Sequence, residues 1–378
     1  MRTVKDIPVY ENIPMLVRAA LNVPVANGKV ANTFRLRKAV PTIDFLRKKN
    51  ARVVLIGHIG EQGTETLQPV YEAMKEFVPG LAWCPVTIGE TARAAVRAVP
   101  PGGVLMLENL RRDRGEVMND KKFAQALAEL ADVFVEDSFD VCHRSHASVV
   151  GVPAFLPAYA GLLVEEEVRE LTKALKPAHP ALALIGGAKF STKEPVLMKL
   201  LEVYDRVFAG GALGNDFVKA MGYTVGTSLV SDADPKEIKN VLSNRRLAIR
   251  LDAVAGTLGQ KRSDTQIVRL DSVPADKAIL DEGPATTEML LKLVKEAKTI
   301  LWNGPLGNYE NGYTDSTFAL AKAIAESGAH SVVGGGDTVA AIEDMGAASR
   351  FSFLSTGGGA TLDFLAKGTL PGLAVLDK

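Results

Sequence analysis

Short runs of β-branched and aliphatic residues recur along this chain, separated by longer stretches with helical periodicity. In the first half the apolar runs are "PMLVRAAL" (14–21), "ARVVLIG" (51–57), "GGVLMLE" (102–108) and "DVFVED" (132–137). Between them "TETLQPVYEAMKEFV" and "DKKFAQALAELA" read as amphipathic helices. The second half repeats the rhythm with "PALALIGG", "DRVFAGG", "TILWNGP", "HSVVGGG" and "RFSFLST", interleaved with "EPVLMKLLEVY", "TTEMLLKLVKEA" and "DSTFALAKAIAES". Such alternation predicts β-α-β units and parallel sheet. The expected fold is α/β, with two Rossmann-like domains in series, each a mostly parallel sheet flanked by helices.

The stretch from Gly151 to Pro180 breaks the rhythm. Pro153, Pro157, Pro177 and Pro180 surround one acidic helical segment, which fits an interdomain connector better than another β-α unit. The expected division is an N-terminal domain over 1–160, a hinge helix over 161–178 and a C-terminal domain over 179–363. The tail 364–378, with "GTLPGLAVLDK", is too apolar for a free end and is expected to dock. A chain of 378 residues with 47% hydrophobic content can supply two cores of ordinary size.

Charge narrows the partners. Lys plus Arg and Asp plus Glu both number 44, so no global basic field exists to gather nucleic acid or anionic membrane, and any anion site must be local. The start "MRTVKDIPVYENIP" lacks the apolar stretch of a signal peptide and no apolar run reaches spanning length, so the expectation is a cytoplasmic protein. Cys84 and Cys142 form neither a disulfide framework nor a metal cluster by spacing and read as reduced core thiols.

The apolar runs end on polar, charged or glycine residues: "HIG", "ENLR", "EDSFDVCHR", "GGAK", "NGP", "GGGD" and "STGGG". Ligands of open parallel sheets bind at the carboxyl ends of the strands. The first half offers Arg18, Arg35, Arg37, His58, Arg111, Arg112, Arg114, His143 and Arg144, suited to a small polyanion because guanidinium forks match phosphate and carboxylate. The second half offers glycines at 186–187, 210–211, 334–336 and 357–359, which let backbone approach a ligand and leave helix N–H groups open to phosphate. A single glycine-rich turn serves tight packing equally well. Several together, followed by Lys189 or by Asp337 and Thr338, favour phosphate. Neither G-x-x-x-x-G-K-[ST] nor G-x-G-x-x-G is present. His146, His179 and His330 read as structural or loop residues, and Lys189 and Lys193 at i, i+4 spacing suit either a solvated face or one phosphate chain.

These residues resemble the phosphoglycerate kinase family over nearly the whole chain, through "VRAALNVP", "RLRKAVPTI", "LENLR", "HRSHAS", "IGGAKFSTK", "WNGPLG", "VVGGGDT" and "STGGGA" in the family's order. The resemblance implies phosphoryl transfer between 1,3-bisphosphoglycerate and ADP to give 3-phosphoglycerate and ATP, directly in line after domain closure. It also implies Mg2+ on the nucleotide, a monomer, and a tail returning to the first domain. Carried onto this sequence it makes Arg35, Lys189, Gly336 and Gly359 catalytic. The glycerate would meet positions Ala20, Asn22, Arg35, His58, Gly60, Glu61, Arg111 and Arg144. The nucleotide would meet Gly187, Ala188, Lys193, Gly211, Asn303, Pro305, Glu310, Gly335, Gly336, Asp337 and Thr338, with Glu310 on the ribose and Asp337 on magnesium.

Two positions depart from the pattern. The family usually has aspartate at Ala20 and arginine at Glu61. A carboxylate beside phosphate costs on the order of several kcal/mol if buried and far less if it turns to solvent. Arg112, where the family usually has an aromatic residue, or Arg114 could supply the missing cation. The alternatives to a working kinase are a nucleotide-binding protein without catalysis and a kinase for another small acyl phosphate.

Overall fold

The computed structural model describes residues 1–187, 190–259 and 262–377. They fall into two compact units, Met1–Arg169 with Lys367–Lys378, and Glu170–Ala366.

The strands of the first unit are β1 (Pro14–Ala19), β2 (Val25–Ala26), β3 (Lys29–Val30), β4 (Arg52–Ile56), β5 (Ala82–Cys84), β6 (Val104–Leu107), β7 (Val133–Asp137) and β8 (Ala158–Ala160). Six of them form one parallel sheet in the order β5-β6-β4-β1-β7-β8. Every residue of β6 and β7 is buried, the pattern of strands covered on both faces, which is why they read as unbroken apolar runs. The small hairpin of β2 and β3 turns on Asn27 and Gly28, both at positive φ, the Asn-Gly signature of a two-residue turn. Helix Phe34–Lys48 begins where Asn32 Oδ1 accepts the Phe34 N–H at 2.8 Å, which sets Arg35 in the first turn.

The second unit contains β9 (Ala181–Ile185), β10 (Arg206–Ala209), β11 (Leu247–Ala248), β12 (Asp252–Gly256), β13 (Gln266–Arg269), β14 (Ala278–Glu282), β15 (Thr299–Asn303), β16 (His330–Gly334) and β17 (Phe353–Leu354). Its parallel sheet runs β11-β10-β9-β15-β16-β17, and β13-β12-β14 make a separate antiparallel sheet. β9 and β15 are buried throughout. The two largely parallel, helix-flanked sheets match the α/β expectation, whereas the antiparallel sheet was not foreseen.

The stretch read as a plain connector does hold a strand-helix unit. Ala158–Ala160 is a buried strand paired in parallel with β7, and helix Leu162–Ala174 follows after one residue. Pro157 precedes the strand, where its missing N–H breaks no ladder bond. Asp137 Oδ1 accepts the Leu163 N–H and Thr42 Oγ1 the Leu162 N–H, both at 2.9 Å, satisfying donors at the helix start. The apolar tail packs in the first unit: the Gly372 N–H donates to Cys142 O at 2.8 Å, and Leu376 is fully buried. Cys84 and Cys142 are buried free thiols. Among the described residues no helix is long and apolar enough to cross a membrane.

Candidate functional site

The rim of the first unit is built on a buried arginine. Arg18, near the end of β1, is 0% exposed. Its Nε donates to Ser148 Oγ at 3.0 Å, Nη1 to Ala19 O at 2.9 Å, and Nη2 lies 2.9 Å from His58 Nδ1. Burial, then the Arg18, Arg111 and Arg35 charges, hold the His58 pKa well below its usual value. Burial and the Arg111, Arg18 and Arg144 charges lower that of His146 to about 4. Glu116, fully buried, accepts the Ser148 N–H at 2.9 Å and its hydroxyl at 2.6 Å. Arg18, expected among the ligand-facing cations, therefore serves the framework. Each of its three nitrogens is engaged within the protein, and none of the side chain is exposed.

Above it the expected anion residues are linked. Arg35 Nη1 donates to Asn22 O at 2.6 Å, Asn22 Oδ1 accepts the Gly60 N–H at 3.2 Å, and Arg111 Nη1 donates to Gly60 O at 2.5 Å. Gly60 has φ +67°, and a Cβ there would overlap the Glu65 carboxylate. Asn22, Arg35, His58, Gly60 and Arg111 thus form one cluster, and the Arg144 charge acts on Arg111 and His146. Ala20 is fully buried and offers only a methyl group. Glu61 is exposed, with its charge felt by Arg111. Arg112 turns to Glu108, 3.0 Å away, and Arg37 to Thr33 Oγ1 at 3.0 Å. The sequence reading passed over Asp140, a carboxylate 8% exposed whose Oδ1 accepts the Ser138 hydroxyl at 2.6 Å and whose Oδ2 lies 3.8 Å from Arg35 Nη1. Its only signal was its place in the acidic run that follows β7.

The second unit has a cavity of about 470 Å³ at the ends of its strands, lined by Gly187, Gly211, Pro305, Glu310 and Asp337 among the expected residues. Asn215, Leu229, Arg250, Leu258, Ile279 and Tyr309 complete much of its wall. Beside it β16 ends, Gly335 takes φ +95°, and helix Gly336–Asp344 begins. A Cβ at Gly336 would have no neighbour within 4 Å among the described residues, which leave space at the helix start. Thr338 is fully buried, and among the described residues its Oγ1 has no hydrogen-bond partner, nor has the buried Nδ2 of Asn303. Buried donors left unmade are costly, and their place beside a free helix N-terminus suits an anion. Lys193, in the first turn of helix Phe190–Val203, lies over Gly187, where an added Cβ would be 3.1 Å from its Cε. Burial lowers its pKa to about 8. Gly359 opens helix Gly359–Lys367 and is exposed. Ala188 and Lys189 lie outside the described residues. Among the described residues no group of three or more His, Cys, Asp or Glu could hold a metal ion. A cation here would therefore need ligand oxygens in addition to Asp337.

A cationic rim on one α/β unit and a glycine-bounded cavity beside an open helix start on the other are both suited to anions. Residues 4–368 match the family described as Phosphoglycerate kinase, and the chain belongs to that family. It is 42% identical to the phosphoglycerate kinase of Thermus thermophilus, covering 100% of both chains. It is 40% identical to that of Pelotomaculum thermopropionicum, covering 100% of this chain and 99% of the relative. Among solved structures, phosphoglycerate kinase from Pyrococcus horikoshii matches with TM-score 0.88 at 28% identity, covering 100% of this chain and 98% of that one. That from Coxiella burnetii matches with TM-score 0.83 at 34% identity, covering 99% and 98%.

Proposed function

We propose that this chain transfers a phosphoryl group reversibly between 1,3-bisphosphoglycerate and ADP, giving 3-phosphoglycerate and ATP. Family membership and full-length likeness to enzymes of that name support a kinase acting on a carboxyl group. The comparisons lend no support to a protein without catalysis or to another acyl phosphate. The observation that carries the reading is the helix start at Gly336, where Thr338 Oγ1 and Asn303 Nδ2 await partners.

In this reading the first unit takes the glycerate and the second the nucleotide. Asn22, His58, Arg111 and Arg144 bind the glycerate, with Gly60 shaping the loop. Arg35 spans glycerate and transferring group. Asp140 is the carboxylate that the Ala20 position lacks, placed to accept a glycerate hydroxyl. Lys193, Gly335, Gly336 and Thr338 hold nucleotide phosphates; Gly187, Gly211, Asn303 and Pro305 shape the nucleotide site, and Glu310 takes the ribose. Asp337 would hold Mg2+ together with phosphate oxygens, an ion that neutralises phosphate charge when bound. Lys189 and Gly359 keep the catalytic roles that the family resemblance implies, and Ala188 its place beside the phosphates. An acyl phosphate is already activated, so the side chains need only align donor and acceptor and stabilise charge. Because each substrate has its own unit, the cycle includes a closure step. The enzyme works as a cytoplasmic monomer.

The test is a pair of variants. Arg35→Ala should lower kcat with ADP binding intact, and Thr338→Val should raise the ADP KM with the glycerate KM intact. Equal damage to both substrates in both variants would contradict the assignment.

A further inference from the structure

The second unit contains a buried ion pair that none of these roles uses. The side chains of Arg250 and Glu282 are 1% and 0% exposed, and Arg250 Nη2 lies 2.9 Å from Glu282 Oε1. Arg250 precedes β12, Glu282 ends β14, and Arg250 lines the cavity assigned above to the nucleotide.

The pair's other bonds converge on the cavity wall. Arg250 Nη2 donates to Gly211 O at 2.6 Å, and the Gly211 N–H donates to Glu282 Oε1 at 3.1 Å, so one ion pair holds both polar backbone groups of a single residue. Arg250 Nη1 donates to Asn215 Oδ1 at 2.6 Å, and Asn215 Nδ2 donates in turn to Leu229 O at 2.9 Å. Gly211, Asn215 and Leu229 all line the cavity, and Gly211, at φ +62°, opens helix Gly211–Ala220. The space for the guanidinium depends on Gly214, where a Cβ would lie 2.5 Å from Arg250 Nη2.

Stability is a weak reason for such an arrangement. Buried pairs are often replaced by apolar residues without loss, because desolvation offsets their attraction. Among the described residues this pair also leaves Arg250 Nε and Glu282 Oε2 buried without partners. Burial pushes the Glu282 carboxyl up to about 7 despite the arginine beside it.

We propose that Arg250 and Glu282 are positioning residues for the nucleotide: through Gly211 and Asn215 they fix the cavity wall in its binding shape. Neither acts on the reacting atoms. The inference rests on the reading of this cavity as the nucleotide site.

The test compares the full-length parent with Arg250→Leu/Glu282→Leu, Arg250→Lys and Glu282→Gln. Calorimetric ADP affinity, both KM values, kcat and Tm are measured for each. The apolar double variant should keep its Tm within a few degrees while ADP affinity falls about tenfold, with glycerate KM and kcat at saturating nucleotide unchanged. Arg250→Lys keeps the charge without the fork and should show the same selective loss. Glu282→Gln keeps an acceptor for Gly211 and should bind ADP within about twofold of the parent. Parent-like ADP affinity in the lysine variant, or a uniform fall in Tm and in both KM-derived affinities, would overturn the proposal. A parent that binds no ADP would remove the nucleotide reading itself, and the inference with it.

Discussion

Arg18 Nη2 stands 2.9 Å from His58 Nδ1, with both side chains buried at the end of the first sheet. A guanidinium can only donate, so Nδ1 must accept and the ring is neutral with its hydrogen on Nε2. Nitrogen NMR of the ring should report that tautomer at pH 6.5, where a free imidazole is half protonated. A protonated ring at that pH would contradict the geometry.

The neighbouring His146 gives a stability effect with a definite sign. Its folded pKa is about 4, below the ordinary 6.5, so the unfolded chain takes up a proton first as pH falls. Its contribution is full above pH 6.5 and is lost between 6.5 and about 4. On denaturant unfolding at pH 7.5 and 5, the parent should lose about 2 kcal/mol more than His146→Gln. Equal losses would show that the ring titrates normally.

Lys193 makes nucleotide binding a proton-linked event. Burial holds its pKa to about 8. A phosphate beside it would raise that value, so ADP binding near pH 8 should take up protons. Calorimetry in two buffers of different ionisation enthalpy should detect the uptake, and Lys193→Met should abolish it while weakening ADP roughly 10- to 100-fold. Binding with no buffer dependence would place Lys193 away from the phosphates.

These features were unequally legible in the sequence. The strands of the two parallel sheets could be read because burial on both faces makes them continuous apolar runs, as in "GGVLMLE" and "PALALIGG". β12 to β14 escaped because an antiparallel sheet with an exposed edge mixes polar and apolar residues; Gln266, Ile267 and Arg269 of β13 are all exposed. Strand-end chemistry marked the rims, yet it could not separate Arg18, spent in the framework, from Arg35 and Arg111. Nor could it find Arg250 with Glu282, since they stand 32 positions apart and only the fold makes them neighbours.

Glu61 is exposed, so its departure from the family's arginine should be mild. Exposed charge pairs are worth up to about 1 kcal/mol, which sets the scale of a reversal. Glu61→Arg should lower the 3-phosphoglycerate KM by roughly twofold to tenfold, more at low salt. An unchanged KM would put position 61 outside the phosphate's reach.

Asp140 tests how this rim manages without a carboxylate at Ala20. Held by Ser138 beside Arg35, it should accept a substrate hydroxyl. Asp140→Ala should raise the 3-phosphoglycerate KM about tenfold and leave the ADP KM alone. A lower glycerate KM would instead mean that Asp140 repels the substrate.

The central claim is tested most directly by coupled measurement of ATP consumption with saturating 3-phosphoglycerate and Mg2+, beside Lys189→Ala. The account predicts glycerate-dependent turnover in the parent and its near loss in the variant. ATP binding by the parent without turnover would contradict it.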